Sequence, residues 1–230
     1  MQNIVVLSGA GMSAESGIKT FRDADGLWEG HDVMSVASPD GWRRNPELVT
    51  EFYNQRRLQL AQVKPNAGHL ALTQLEDHFN VHIITQNVDD LHERAGSKQI
   101  LHLHGELIKM RSVKFEADIY EVGYKAIPYG TKCHKGTLLR PHIVWFGEAV
   151  PMIEPAIDLV SNADILIIVG TSLEVYPAAG LMHYAPSKSR IFLIDPNRHD
   201  ELQKGRVNLI KDTAAVALPK LVTSLLKDVS

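Results

Sequence analysis

Apolar residues gather along the chain in short β-branched runs, separated by longer stretches with helical periodicity. Ile4–Leu7, Val81–Thr85, Ile100–Leu103, Ala163–Val169, Arg190–Ile194 and Val207–Ile210 read as strands. The first runs into Ser8-Gly9-Ala10-Gly11, the fourth is closed by Gly170, and the fifth by Asp195-Pro196-Asn197. Helical patterns fill most of the gaps. Pro65–His78 carries Leu70, Leu72 and Leu75 behind Asn66, Val150–Asn162 carries Ile153, Ile157 and Val160, and Thr213–Lys227 carries Leu218, Leu221, Val222 and Leu225. The strand runs are continuously apolar rather than alternating, as strands covered on both faces are. Strands alternating with helices predict right-handed crossovers and a parallel sheet.

Two stretches break this rhythm. Asp23–Val63 holds no strong strand, is polar and Trp-bearing, and turns helical from Pro46. Lys109–Leu139 mixes Gly, Tyr and Lys with no regular period. Two such insertions predict a small second domain, residues 31–68 and 109–139, beside a larger one built from 1–30, 69–108 and 140–230. At 230 residues the chain is long enough to hold a core without disulfide or metal. A formal charge of −3 argues against a nucleic-acid binder. No apolar run approaches the ~20 residues of a membrane span, and no basic leader precedes Ile4, so a cytoplasmic protein is expected. The single cysteine, Cys133, excludes an intrachain disulfide framework and a multi-cysteine metal site.

Candidate chemistry sits where strands end. Gly9-Ala10-Gly11-Met12-Ser13 after the first strand is a glycine turn that allows backbone to approach a pyrophosphate, although its spacing is not the usual dinucleotide fingerprint. Gln86-Asn87-Val88-Asp89 after the second strand offers amides and a carboxylate for a ribose and a carboxamide; Asn87 or Asp89 also suits a helix cap. His104 lies next to Gly105 after the third strand, where a general base near neutral pH would sit. Gly170-Thr171-Ser172 is a second glycine-hydroxyl turn. Ile143–Glu148, with Val144, Trp145, Phe146 and Gly147, reads as extended backbone able to pair with a peptide strand, or as a core strand around Trp145.

Taken together, Gly9–Ile18, Thr20-Phe21-Arg22, Thr85–Asp89, His104-Gly105, Leu139–Glu148 and Gly170–Ser172 resemble the sirtuins, the NAD-dependent protein deacylases, over nearly the whole chain. The resemblance implies an α/β fold, a Rossmann-type doubly wound parallel sheet with a small second domain, and a cleft between the two. It implies NAD contacts from Gly9, Ala10, Gly11, Ser13, Phe21, Arg22, Gln86, Asn87, Asp89, Gly170, Thr171 and Ser172. Asp195, Asn197 and Ala214 are expected on the adenosine side, Asp195 standing where the family has Asn. His104 and Asn87 would be catalytic, and Val144, Phe146, Gly147 and Glu148 would meet the substrate. The implied reaction is acyl transfer to NAD, with nicotinamide leaving and His104 deprotonating a ribose hydroxyl. Its products would be free lysine, nicotinamide and O-acyl-ADP-ribose. Mono-ADP-ribosyl transfer and a non-enzymatic NAD- or ADP-ribose-sensing role are the alternatives.

Tyr53 and Arg56 lie at i, i+3 on the helix that starts near Pro46, where a phenol and a guanidinium on one face make a fork for a carboxylate. This resembles the Tyr-x-x-Arg of sirtuins that remove succinyl and malonyl groups, and Ala24 fits a roomy acyl pocket. The expected partners are therefore proteins carrying acylated lysines, acidic acyl groups included, with no nucleic acid and no membrane. The family's two Cys pairs are missing: Ser112 and Phe115 stand near the first and only Cys133 near the second. Structural zinc is not expected, and packing by Phe115, Ile119, Tyr120, Tyr124, Ile127 and Tyr129 would replace it.

Overall fold

The computed structural model describes residues 1–19, 27–197 and 206–228. Its strands are β1 (Asn3–Ser8), β2 (Leu27–Trp28), β3 (His31–Asp32), β4 (Asn80–Thr85), β5 (Ile100–His102), β6 (Gly105–Ser112), β7 (Ile119–Glu121), β8 (Leu139–Ile143), β9 (Ile165–Val169), β10 (Arg190–Ile194) and β11 (Val207–Ile210). The α-helices are α1 (Gly11–Ala14), α2 (Val33–Val36), α3 (Pro39–Arg44), α4 (Pro46–Leu60), α5 (Ala67–Thr73), α6 (Leu91–Ala95), α7 (Ile153–Ser161) and α8 (Ala214–Lys227).

All six strands expected from the apolar runs join one parallel sheet in the order β11-β10-β9-β1-β4-β5. The chain enters at the centre, builds outward through β4 and β5, then returns to the other side of β1 through β9, β10 and β11. That reversal is the doubly wound arrangement, and ligands bind at its switch point, the crevice between β1 and β9. The alternating faces of β1 explain why its sequence is apolar throughout. Ile4 and Val6 pack with α5 and α8, whereas Val5 and Leu7 pack with α7 and the 3₁₀ turn Ala178–Tyr184.

Local chemistry sets the helix ends. Asn66 accepts from the N–H of Gly68 and His69 while His69 Nδ1 takes the Asn66 N–H, a reciprocal cap that starts α5. Regular α-helix stops at Thr73; beyond it Glu76 N and His78 N reach back three residues, so the expected helix to His78 finishes as tighter turns. Asn45 caps α4, with Pro46 at its first position.

The second layer is a three-stranded antiparallel sheet, β7-β6-β8, with α2, α3 and α4 over a core of Val33, Val36, Val49, Phe52, Tyr53, Leu107, Ile143 and Trp145. It draws in Gly105–Ile108 and Arg140–Ile143, which the sequence pattern placed within the larger domain. Apolar runs alone do not tell which sheet a strand joins; here the antiparallel register Met110↔Pro141, Arg111↔Arg140 decides it. The expected extended backbone over Ile143–Glu148 ends at Ile143, and Glu148 N then bonds Trp145 O to close a turn with Gly147 at φ +89°.

The packing expected of the second insertion is also redistributed. Met110, Cys133 and Leu139 form its centre with Tyr120, Val122 and Ile127 against them. Phe115, Ile119 and Tyr129 are exposed, and Tyr124 joins the other core. Among the described residues no helix is long and apolar enough to cross a membrane.

Candidate active site

Parallel register aligns the C-terminal ends of the central strands. Ser8 lies opposite both Thr85 and Val169, Thr85 opposite His102, and Ile194 opposite Val169. The segments after these residues therefore emerge side by side. Gly11 N donates to Gly170 O at 2.8 Å, which closes the switch point directly. A Cβ on Gly9 would stand 2.7 Å from Gly170 O, one on Gly11 2.8 Å from Gly170 Cα, and one on Gly170 2.2 Å from Met12 N. Gly170 also has φ +65°, so only glycine meets both demands there. The two turns form a cradle of bare backbone, the surface that a pyrophosphate needs for close approach. The N–H groups of Gly9 and Gly11 go to Val169 O and Gly170 O. Here these glycines bring the loops together instead of aiming their own donors outward.

Polar side chains ring the cradle. Asn87 Nδ2 donates to Ser13 Oγ at 3.1 Å, and Ser13 Oγ donates to Asp89 Oδ2 at 2.9 Å. Burial raises the Asp89 carboxyl to about 6, against the pull of its Ser13 and Leu91 hydrogen bonds. Gln86 Nε2 donates to Thr171 Oγ1 at 3.1 Å, linking the loop after β4 to the loop after β9. Ser172 is half-buried beside Thr171. Asp195 is buried and accepts from Asn197 N at 2.7 Å, which folds that turn; Asn197 itself is exposed. Ala214 is buried at the start of α8 against Gly68. Phe21, Arg22 and Ala24 lie outside the described residues.

His104 Nδ1 stands 2.9 Å from Gln86 O. A carbonyl only accepts, so Nδ1 carries the proton and Nε2 keeps its lone pair. Burial lowers the His104 pKa, partly opposed by the Gln86 carbonyl, and the ring is a neutral base at pH 7. His102, two residues earlier, makes the matching bond to Asn87 O at 3.1 Å, and its Nε2 meets Glu93 Oε1 at 2.7 Å. That carboxylate outweighs burial and raises the His102 pKa. The two histidines thus grip consecutive carbonyls of the Gln86-Asn87 loop, their pKa values moved in opposite directions.

The chain then crosses to the second layer. Val144 N donates to His104 O at 2.9 Å, and Phe146 N to Ala37 O at 2.9 Å. Phe146 and Gly147 are exposed at this rim, and Val144 is half-buried. Glu148, expected to face substrate, turns inward. Its oxygens take Arg140 Nη1 at 2.6 Å and Arg140 Nη2 at 3.1 Å, and Oε2 also takes Trp145 N at 2.8 Å. It shapes the Trp145–Gly147 turn, because a half-buried carboxylate beside two arginines is held where it is paired.

The fork expected of Tyr53 and Arg56 is divided. Tyr53 is sealed among Trp28, Phe52 and Trp145, and its hydroxyl accepts from Trp145 Nε1 at 3.1 Å. Burial raises its pKa, so the phenol keeps a proton that this bond does not use. Arg56 stays at the margin, over the Phe52 ring, with Nη1 3.6 Å from Glu29 Oε1. Its Nε and Nη1 are buried and have no hydrogen-bond partner among the described residues.

Several residues of this architecture had no distinguishing sequence signal. His92 Nε2 meets Ser8 Oγ at 3.0 Å beneath the cradle. Arg57, beside Arg56 in sequence, is wholly buried and donates to Leu107 O at 2.8 Å and Asn54 Oδ1 at 2.5 Å. Asn66 also donates to Met12 O at 2.8 Å, tying α5 to the glycine turn.

Residues 9–177 match the model of the Sir2 family. The chain belongs to the Sir2 family. This sirtuin is similar to an NAD-dependent protein deacylase of Helicobacter pylori, 56% identical over 227 residues and covering 99% of each chain. It is similar to one of Bacteroides thetaiotaomicron, 53% identical and covering 96% of this chain and 97% of that one. Among solved structures, a Sir2 homologue complexed with NAD superposes with a TM-score of 0.89 at 38% identity, covering 99% of this chain and 91% of that chain. A structure concerning sirtuin substrate affinity gives a TM-score of 0.80 at 29% identity, covering 99% and 94%. The bare-backbone cradle between β1 and β9, ringed by Gln86, Asn87, Asp89 and Thr171, fits the NAD that this family uses.

Structural zinc does not fit. The Cys133 thiol lies 3.0 Å from Thr137 Oγ1, and Thr137 Oγ1 lies 2.6 Å from Ser112 Oγ. One thiol among hydroxyls is not a tetrahedral thiolate or imidazole set. Among the described residues the one cluster of three or more potential metal ligands is Glu93, His102 and Glu106, and it does not include Cys133.

Proposed function

We propose that this sirtuin removes acetyl and also acidic acyl groups of the succinyl and malonyl type from protein lysines, with His104 as general base. At the coarser level the chain is an NAD-dependent protein deacylase, like its relatives at 53–56% identity. The acyl range rests on one observation: Arg56 holds two buried N–H donors that nothing among the described residues accepts. Unmet buried donors cost stability, and charged ones most, so the site favours a ligand bearing a carboxylate.

When bound, NAD supplies the glycosidic bond whose loss lets an acyl oxygen join the sugar. The protein's part is positioning and proton handling. Gln86 and Asn87 present their amides at the strand ends, held by Thr171 and Ser13. His104, its Nδ1 fixed on Gln86 O, offers Nε2 to accept a hydroxyl proton. Val144, Phe146 and Gly147 form the rim along which a peptide lies.

The test is a panel of acetyl-, succinyl- and malonyl-lysine peptides with and without NAD, products read by mass spectrometry. O-acyl-ADP-ribose and free lysine are expected. ADP-ribosylated protein with no free lysine would overturn deacylation in favour of transfer. Arg56→Met is expected to lower succinyl turnover at least tenfold relative to acetyl; unchanged succinyl turnover would remove Arg56 from the acyl site.

A further inference from the structure

Arg56 is not alone at the margin of the second layer. Trp28 and His31 pair across a two-residue loop, Glu29-Gly30, and both loop residues have positive φ, +50° and +83°. That is the tight hairpin turn in which Asn, Asp and Gly are favoured, because other side chains are strained in the left-handed region. Glutamate adopts it at a cost, and strain of this kind persists where the side chain is needed. The Glu29 side chain is 15% exposed and divides its carboxylate. Oε1 faces Arg56 Nη1 at 3.6 Å, and Oε2 accepts from Lys19 Nζ at 3.3 Å.

We propose that Glu29 is an internal placeholder carboxylate that occupies the Arg56 guanidinium when no acidic acyl group is bound, and so sets the preference between acidic and neutral acyl-lysines. This rests on the reading of Arg56 as the acyl-carboxylate anchor. The contact neutralises Arg56 without satisfying it. At 3.6 Å it is longer than a hydrogen bond, and among the described residues Nε and Nη1 have no hydrogen-bond partner. An arriving acyl carboxylate can bring an oxygen to Nη1 at about 2.7–2.9 Å, closer than Glu29 comes, and displaces Glu29. Lys19, exposed and already on the other oxygen, keeps the displaced carboxylate paired. A neutral acyl group leaves Glu29 in place and Arg56 compensated. Two carboxylates cannot share one guanidinium edge cheaply, so the acidic substrate binds against this internal competitor.

Glu29→Gln and Glu29→Asn test it, the second because Asn suits the left-handed turn and preserves the hairpin. Thermal unfolding verifies that each variant is folded. The ratio of kcat/KM for succinyl- to acetyl-lysine peptide is expected to rise about three- to tenfold in both variants, with calorimetry showing tighter succinyl-peptide binding by a similar factor. A ratio within twofold of wild type, or a fall, overturns the placeholder. Arg56→Met is run beside them. If it abolishes the succinyl preference while the Glu29 variants leave the ratio unmoved, the placeholder fails and the Arg56 anchor stands. If it leaves succinyl turnover unchanged, the anchor fails and takes the placeholder with it.

Discussion

Replacing Gly170 with alanine probes the contact that defines the switch point. The added Cβ would stand 2.2 Å from Met12 N, 2.6 Å from Gly11 C and 2.9 Å from Gly11 Cα. All three are backbone atoms, so no side chain can swing away, and the two loops must separate by about 1 Å to reach ordinary contact. That movement breaks the 2.8 Å bond from Gly11 N to Gly170 O. A left-handed alanine costs about 1–2 kcal/mol, the overlap about 1–3 kcal/mol and the lost hydrogen bond about 0.5–1.5 kcal/mol. The expected loss is about 4 kcal/mol, or roughly 10 °C in Tm for a domain of this size. Gly123→Ala is the control. Gly123 has φ +61° but nothing within 4 Å of its Cβ position, so it carries only the conformational cost, about 1–2 kcal/mol. Urea unfolding of both variants separates backbone conformation from loop contact. Calorimetric NAD titration, at a temperature where both are folded, should show at least tenfold weaker binding for Gly170→Ala alone. If Gly170→Ala is no less stable than Gly123→Ala and binds NAD as the wild type does, the two turns do not form the cofactor cradle.

Two further outcomes are expected. Burial lowers His69 from 6.5 to about 4, so the folded ring stays neutral while the unfolded one takes a proton below pH 6.5; its contribution is whole above that pH and is lost as pH falls toward 4. His69→Gln keeps the reciprocal cap on Asn66 and removes the titration, so between pH 7 and 4.5 its urea stability should gain about 2–3 kcal/mol relative to wild type. Parallel curves would show that His69 is not neutral in the fold. At the Cys133 corner, prolonged chelation should leave Tm unchanged, and Cys133→Ser should cost under about 1.5 kcal/mol because a hydroxyl can replace the thiol beside Thr137. Stoichiometric metal in purified protein, or collapse of the small sheet on chelation, would refute the hydroxyl-and-thiol account.

The large sheet was legible because its signal is local. Each β-branched run ends at a glycine or polar turn, and a strand buried on both faces must be apolar throughout. Ile4–Leu7 and Ala163–Val169 therefore declare themselves, and so do the turns that follow. The second layer was less legible. Leu139–Ile143 is paired with β6 by an antiparallel register between residues far apart in sequence, and nothing within the segment selects that partner. Phe115 and Ile119 look like core residues by composition yet are exposed, while Met110 and Leu139 fill the centre.

The same boundary runs through the site. Residue types and their places after strand ends name Gln86, Asn87, Asp89, His104, Gly170 and Thr171, since strand ends of an open parallel sheet meet in one crevice. Direction is another matter. Arg56 and Arg57 are neighbours of the same type, but only the packing of α4 on β6 sends one to the margin and buries the other on Leu107 O. Glu148 reads as a substrate contact until Arg140 and Trp145 N claim its oxygens. Composition and periodicity decide which residues can do the chemistry, because they depend on near neighbours. Which way each charged side chain points depends on partners that only long-range packing brings within hydrogen-bond reach.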